Sequence, residues 1–120
     1  MNIIIKLFSI VFFVGLVTTS SSAQEKVKKY HTVEIEVAGV CKMCKKRVEK
    51  AALIKGVKMA EWDKVNQTMK VVYKTKNVTE EDIHKAIAAS GHDTNKAKAP
   101  DEKYAKLPNC CRYRDGVGIH

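Results

Sequence analysis

Two kinds of hydrophobic period alternate along this chain and predict an α+β fold: an antiparallel sheet with two helices on one face. Three observations carry that expectation. Tyr30 to Val37 alternates with period two, which is the signature of a half-buried strand. Met43 to Ile54 and Thr79 to Ser90 switch to helical spacing, and each run ends at a glycine, Gly56 and Gly91. Between the helical runs, two short apolar segments flank Val65-Asn66-Gln67, as in a hairpin. With 120 residues there is room for one modest domain and not for two.

Residues 1–23 stand apart from that pattern. Lys6 is their only charged side chain, Leu7 to Val17 is almost wholly apolar, and small residues follow up to Ala23. This is the layout of a secretory signal peptide, cleaved after Ala23. Its apolar core of about 11 to 15 residues is short of the roughly 20 that a spanning helix needs, so no stable membrane insertion of the mature chain is expected. No cysteine stands at the cleavage site to carry a lipid. The protein is therefore expected to be secreted or periplasmic.

Residues 24–29 form a polar lead-in, and the folded domain is expected over 30–98. In the first strand Val33, Ile35 and Val37 face inward while Thr32, Glu34 and Glu36 face out. Ala38-Gly39-Val40 turns the chain, with Gly39 expected to adopt angles other residues resist. The first helix buries Val48, Ala51, Ala52 and Leu53, and exposes Lys45, Lys46, Glu49 and Lys50. Val57 to Asp63 is the second strand; Val57 and Met59 are out of phase with Ala60 and Trp62, which predicts a bulge. Thr68 to Tyr73 is the third, with Met69, Val71 and Tyr73 inward, and both Met59 and Met69 are assigned to the core. Thr79 and Asp82 approximate a capping box, and Ile83, Ala86, Ile87 and Ser90 form the second inward stripe. His31 and His84 are assigned to the surface. Asp93 to Ala97 is a weak closing strand, and residues 99–120 form a tail in which Tyr104, Leu107 and Tyr113 pack on the domain. Strand, helix, strand, strand, helix, weak strand is the split βαβ, ferredoxin-like βαββαβ arrangement. Its connections bring Cys41 and Cys44 close to Gly91-His92-Asp93.

Charge excludes less than it suggests. Twenty-two Lys and Arg against thirteen Asp and Glu give +9, and losing Lys6 leaves +8. Nucleic acid is not expected as a partner, because stacking aromatics are sparse and an exported protein rarely meets it. Such a field serves solubility, or steering toward an acidic partner protein.

All four cysteines, Cys41, Cys44, Cys110 and Cys111, lie after the leader, as one CxxC and one vicinal pair. Disulfide frameworks spread their cysteines, so this grouping suits ligand or redox use better than a staple. Cys44 falls in the first helical turn, where unpaired N–H groups and the helix dipole favour thiolate, and Lys42, Lys45, Lys46 and Arg47 add positive charge. The residues alone leave metal binding and disulfide exchange both open. Two soft sulfurs without oxygen donors select Cu(I) or a similar ion, whereas structural zinc takes four ligands. Adjacent cysteines pair with each other only under strain, so Cys110 and Cys111 are assigned to metal or to external disulfides.

A glycine-containing loop, CxxC, the helix Cys44-Lys45-Lys46-Arg47-Val48-Glu49-Lys50-Ala51-Ala52-Leu53, then Gly56-Val57 and Ala88-Ala89-Ser90-Gly91-His92-Asp93 together resemble the heavy-metal-associated domain. That family includes copper chaperones, soft-metal domains of P-type pumps and periplasmic mercury-binding proteins. The resemblance covers residues 30–97 and implies Cys41 and Cys44 as the metal ligands. Two departures stand out. The family's Gly-Met-Thr before the first cysteine is reduced to Gly39-Val40, and His92 replaces the usual Tyr or Lys. His92, Cys110 and Cys111 are thus candidate additional ligands.

The function expected from these features is that of an exported metal chaperone or scavenger. It holds Cu(I), with Hg(II), Zn(II) and Cd(II) as alternatives, and hands it to a metal-transporting membrane protein or other acceptor. No group is arranged as a general acid or base, so an enzyme is not expected. The rival reading is a thiol–disulfide exchange protein using the same CxxC, although the order of elements lacks the thioredoxin-type βαβ context.

Overall fold

The computed structural model describes residues 29–120; the expected leader, its cleavage position at Ala23 and nearly all of the lead-in lie outside the described residues. The chain folds as β1 (Tyr30–Glu36), α1 (Lys42–Ala52), β2 (Val57–Asp63), β3 (Thr68–Lys74) and α2 (Glu80–Ala89), followed by a short α3 (Asp101–Ala105) and two 3₁₀ turns, Asn109–Cys111 and Tyr113–Asp115. The sheet is antiparallel in the order β1-β3-β2, the ferredoxin-like arrangement that the periodicity predicts. Ile35 and Trp62 both lie opposite Met69, and Val33 and Ala60 both lie opposite Val71. Period-two alternation on three neighbouring strands therefore stacks their inward residues into one apolar face, against which Val48, Ala52, Ile83 and Ile87 of the helices are buried.

Local chemistry accounts for the element ends. Thr79 Oγ1 accepts from the Asp82 amide at 3.1 Å while Asp82 Oδ2 accepts from the Thr79 amide at 3.1 Å, a complete capping box at the start of α2. Such a cap is worth about 0.5–2 kcal/mol. After α1 the chain reverses at Gly56, whose φ of +100° suits glycine and whose missing Cβ leaves room for Asn77 and Val78 at 3.0 Å.

Four assignments are corrected by the packing. The bulge between Val57 and Met59 moves the inward phase to Ala60 and Trp62, which leaves Met59 exposed while Met69 is fully buried. Leu53, beyond the last turn of α1, is exposed. His84 is buried at 2% exposure, because the chain after α2 turns over it: Nδ1 lies 2.6 Å from Thr94 Oγ1 and Nε2 lies 3.3 Å from Glu80 Oε1. The weak closing strand is reduced to a single bridge, Val37 to Thr94. Thr94 bends the chain at once: its amide donates to the Ala97 carbonyl at 2.8 Å and its hydroxyl accepts from the Ala97 amide at 2.9 Å.

The C-terminal segment folds back onto the domain. Tyr104, Leu107 and Cys111 join the core, and Leu107 lies where a Cβ on Gly91 would stand, at 3.0 Å. Tyr113 Oη donates to the Gly91 carbonyl at 2.9 Å and accepts from the Asp93 amide at 2.8 Å. Arg114 grips Asp93 through two hydrogen bonds, Nη2 to Oδ1 at 2.6 Å and Nε to Oδ2 at 3.1 Å. Its guanidinium also covers the Tyr104 ring at 4.5 Å. At the far end the His120 amide donates to the Val40 carbonyl at 2.8 Å, one residue before Cys41.

Candidate metal centre

The loop that carries the first cysteine is fixed from three sides. The Ala38 amide donates to the Asp93 carbonyl at 2.9 Å, the Gly39 amide to Gln67 Oε1 at 3.0 Å, and Trp62 Nε1 to the Val37 carbonyl at 3.0 Å. Gly39 is needed for space and not for its backbone angles, which are not of the left-handed kind. A Cβ there would stand 2.9 Å from two ring carbons of Trp62 and 3.2 Å from the Cys44 Cβ. Val40 is buried and closes the shortened loop.

Cys41 is the extended N-cap of α1, with φ −147° and ψ 175°, and no side chain caps the helix. No acidic residue occupies the first turn either, so the helix start is left to the sulfurs. Cys41 Sγ lies 3.3 Å from Cys44 Sγ and 3.2 Å from Cys111 Sγ. A disulfide needs about 2.05 Å, so these are three separate thiols meeting at one place. All three are buried, and their sulfurs lie within 4.8 Å of one another.

Cys41 and Cys44 have diverging acidities. Burial opposes ionisation of Cys41, but hydrogen bonds from the Cys44 amide, the Cys111 and Cys44 thiols and the Met43 amide outweigh it and lower its pKa from 9.0 to about 7. Burial, reinforced by the Cys111 and Cys41 sulfurs, pushes Cys44 up to about 12. Of these two sulfurs, Cys41 is the one that gives up its proton first. Of the basic side chains near the loop, Lys45 is committed to Glu49 at 3.0 Å and to the Trp62 carbonyl at 2.9 Å.

The other candidates are separated by the fold. Cys110 is half-buried, 3.8 Å from Cys111 Sγ and 3.8 Å from the sulfur of Met43, outside the three-sulfur cluster. Met43, exposed like Lys42 between the two cysteines, carries a soft donor that spacing alone does not single out. His92 is next to the loop but not among the sulfurs. Its Nδ1 lies 2.7 Å from the Ala38 carbonyl, and its ring stacks on Tyr113 at 5.4 Å. Its Nε2 is buried with no hydrogen-bond partner among the described residues. Burial, helped by the Arg47 charge, lowers its pKa below the ordinary 6.5.

No family model matches the chain, and no curated protein matches it. Among solved structures it is similar to the CopZ metallochaperone, 30% identical with a TM-score of 0.52, over 53% of this chain and 98% of that one. A copper binding domain from HMA7, a P-type ATPase, is 29% identical with a TM-score of 0.52, over 53% of this chain and 89% of that domain. A solution structure from Bacillus anthracis strain Ames, 24% identical with a TM-score of 0.52, over 55% of this chain and 96% of that one, shares the fold. One of these neighbours is thus a metallochaperone and another a copper binding domain of a P-type ATPase, and a cluster of three cysteines is present here.

Proposed function

We propose that this protein belongs to the heavy-metal-associated family and is an exported carrier of a soft metal ion, Cu(I) foremost, held by Cys41 and Cys44. The observation that carries this reading is the two sulfurs 3.3 Å apart at an uncapped helix start, in a fold shared with a metallochaperone and a pump's copper-binding domain. Thiolate is the form that binds soft ions, and the helix start and neighbouring thiols favour it at Cys41. Function here is binding and hand-over, by exchange of thiolates with an acceptor such as a metal-transporting membrane protein. No turnover chemistry is involved. No helix among the described residues is long and apolar enough to cross a membrane. Export rests on the leader's composition, and the mass of the protein recovered from outside the cytosol checks cleavage after Ala23.

The test is competition for Cu(I) between the reduced protein and a chromophoric Cu(I) chelator. We expect one high-affinity ion per chain, and loss of that site in the Cys41→Ser, Cys44→Ser double variant. Unchanged stoichiometry and affinity in the double variant would sink the reading. The lowered pKa of Cys41 is what favours the second reading, thiol–disulfide exchange. A measured disulfide-reductase activity that metal does not suppress decides for it.

A further inference from the structure

We propose that Cys111 is a third metal ligand, so that the C-terminal segment closes a buried three-thiolate centre over the CxxC. This rests on Cys41 and Cys44 being ligands, and adds a donor from 67 residues further along the chain than Cys44. The sulfur of Cys111 is 3.2 Å from that of Cys41, and the residue has 0% exposure. A metal–thiolate bond of about 2.3 Å places three sulfurs about 4 Å apart around a trigonal ion. Opening from 3.2 and 3.3 Å to that spacing asks for less than about 1 Å of movement per pair. Among the described residues no further Cys, His, Asp or Glu joins these three, so the cluster falls short of structural zinc's four ligands and suits Cu(I).

A buried cysteine can also be mere filler, since free cysteine behaves as a small apolar residue. Two features argue for more. The segment is pinned on both sides of Cys111: before it, Leu107 is buried under Gly91 and the Cys111 amide bonds the Pro108 carbonyl at 2.9 Å; after it, Tyr113 and Arg114 are tied to Gly91 and Asp93. The vicinal pair is also divided, with Cys111 turned into the cluster and Cys110 left beside exposed Met43. Filler would not need a thiol to meet two other thiols.

Hand-over then has one added step. An acceptor's thiolate forms a new copper–sulfur bond as the bond to Cys111 breaks, and Cys111 leaves as a thiolate that takes a proton from water; copper stays Cu(I) throughout. Docking of the tail therefore governs how fast the ion leaves.

X-ray absorption at the copper edge, on reduced protein loaded with one Cu(I), tests the proposal without any substitution. Three sulfurs around copper are expected in the wild type and in Cys110→Ser, and two in Cys111→Ser. Against the chromophoric chelator, Cys111→Ser should bind about tenfold more weakly or worse and release copper faster. Cys110→Ser should stay within about twofold of wild type. Two sulfurs in the wild type, or an unchanged affinity in Cys111→Ser, overturns the third ligand and leaves the Cys41–Cys44 reading standing. Full binding by the Cys41→Ser, Cys44→Ser variant overturns that reading instead.

Discussion

Replacing Tyr113 by Phe isolates what docking of the C-terminal segment contributes. The ring contacts survive: stacking on His92 at 5.4 Å and the edge contact with Tyr104 at 5.2 Å need no hydroxyl. Two hydrogen bonds are lost, the one donated to the Gly91 carbonyl at 2.9 Å and the one accepted from the Asp93 amide at 2.8 Å. Each is worth about 0.5–1.5 kcal/mol net, and together they come to about 1–3 kcal/mol. A domain of this size has a urea slope of about 1–2 kcal/mol per molar, so the midpoint should fall by about 1 M. Trp62, the only tryptophan and fully buried against the metal loop, reports core unfolding by its fluorescence. Reaction of Cys111 with a thiol reagent reports release of the tail. Since Leu107 and Cys111 are part of the core, both signals should shift together. A midpoint unchanged within 0.2 M (about 0.3 kcal/mol at that slope), or a tail that opens well before Trp62 responds, refutes the reasoning that the tail and domain form one cooperative unit.

Other perturbations read other parts of the site. Gly39→Ala places a Cβ 2.9 Å from the Trp62 ring and should cost about 1–3 kcal/mol in thermal or urea unfolding, with weaker Cu(I) retention because the loop before Cys41 must shift. Burial works against ionisation of Asp93, but Arg114 and the Ala99 amide hold its carboxyl below the ordinary 3.8. A carboxyl depressed in the folded state contributes stability that is present above pH 3.8 and lost as pH falls through its folded pKa. Acid titration should reveal that loss in the wild type, and Arg114→Met should be less stable at neutral pH and lose less on acidification. Alkylation of Cys41, followed by mass spectrometry, should quicken as pH rises through about 7, and Cys111→Ser should move that midpoint upward by removing one of the thiols that stabilise the thiolate.

How far the sequence reaches is set by the range of the interactions that decide each feature. The strands and helices were legible because their signals are local: period two in β1, helical spacing closed by Gly56, and a threonine–aspartate cap at Thr79. The bulge at Val57–Met59 was legible too, yet its consequence for Met59 was not, because which phase turns inward is decided by pairing with β3. His84 reads as a surface residue on its own helix and becomes buried only through the Thr94 turn. The tail is the sharpest case. Its aromatic residues announce packing, but nothing local says that Tyr113 will meet Gly91 and Asp93, or that Arg114 will take the Asp93 carboxylate. Those long-range contacts fix the direction of the vicinal cysteines. They are the reason that Cys111 and not Cys110 stands 3.2 Å from Cys41, and that the His92 ring stacks on Tyr113 with its Nδ1 2.7 Å from the Ala38 carbonyl. A two-sulfur motif can be read from spacing, whereas a three-sulfur centre depends on where the last residues of the chain come to rest.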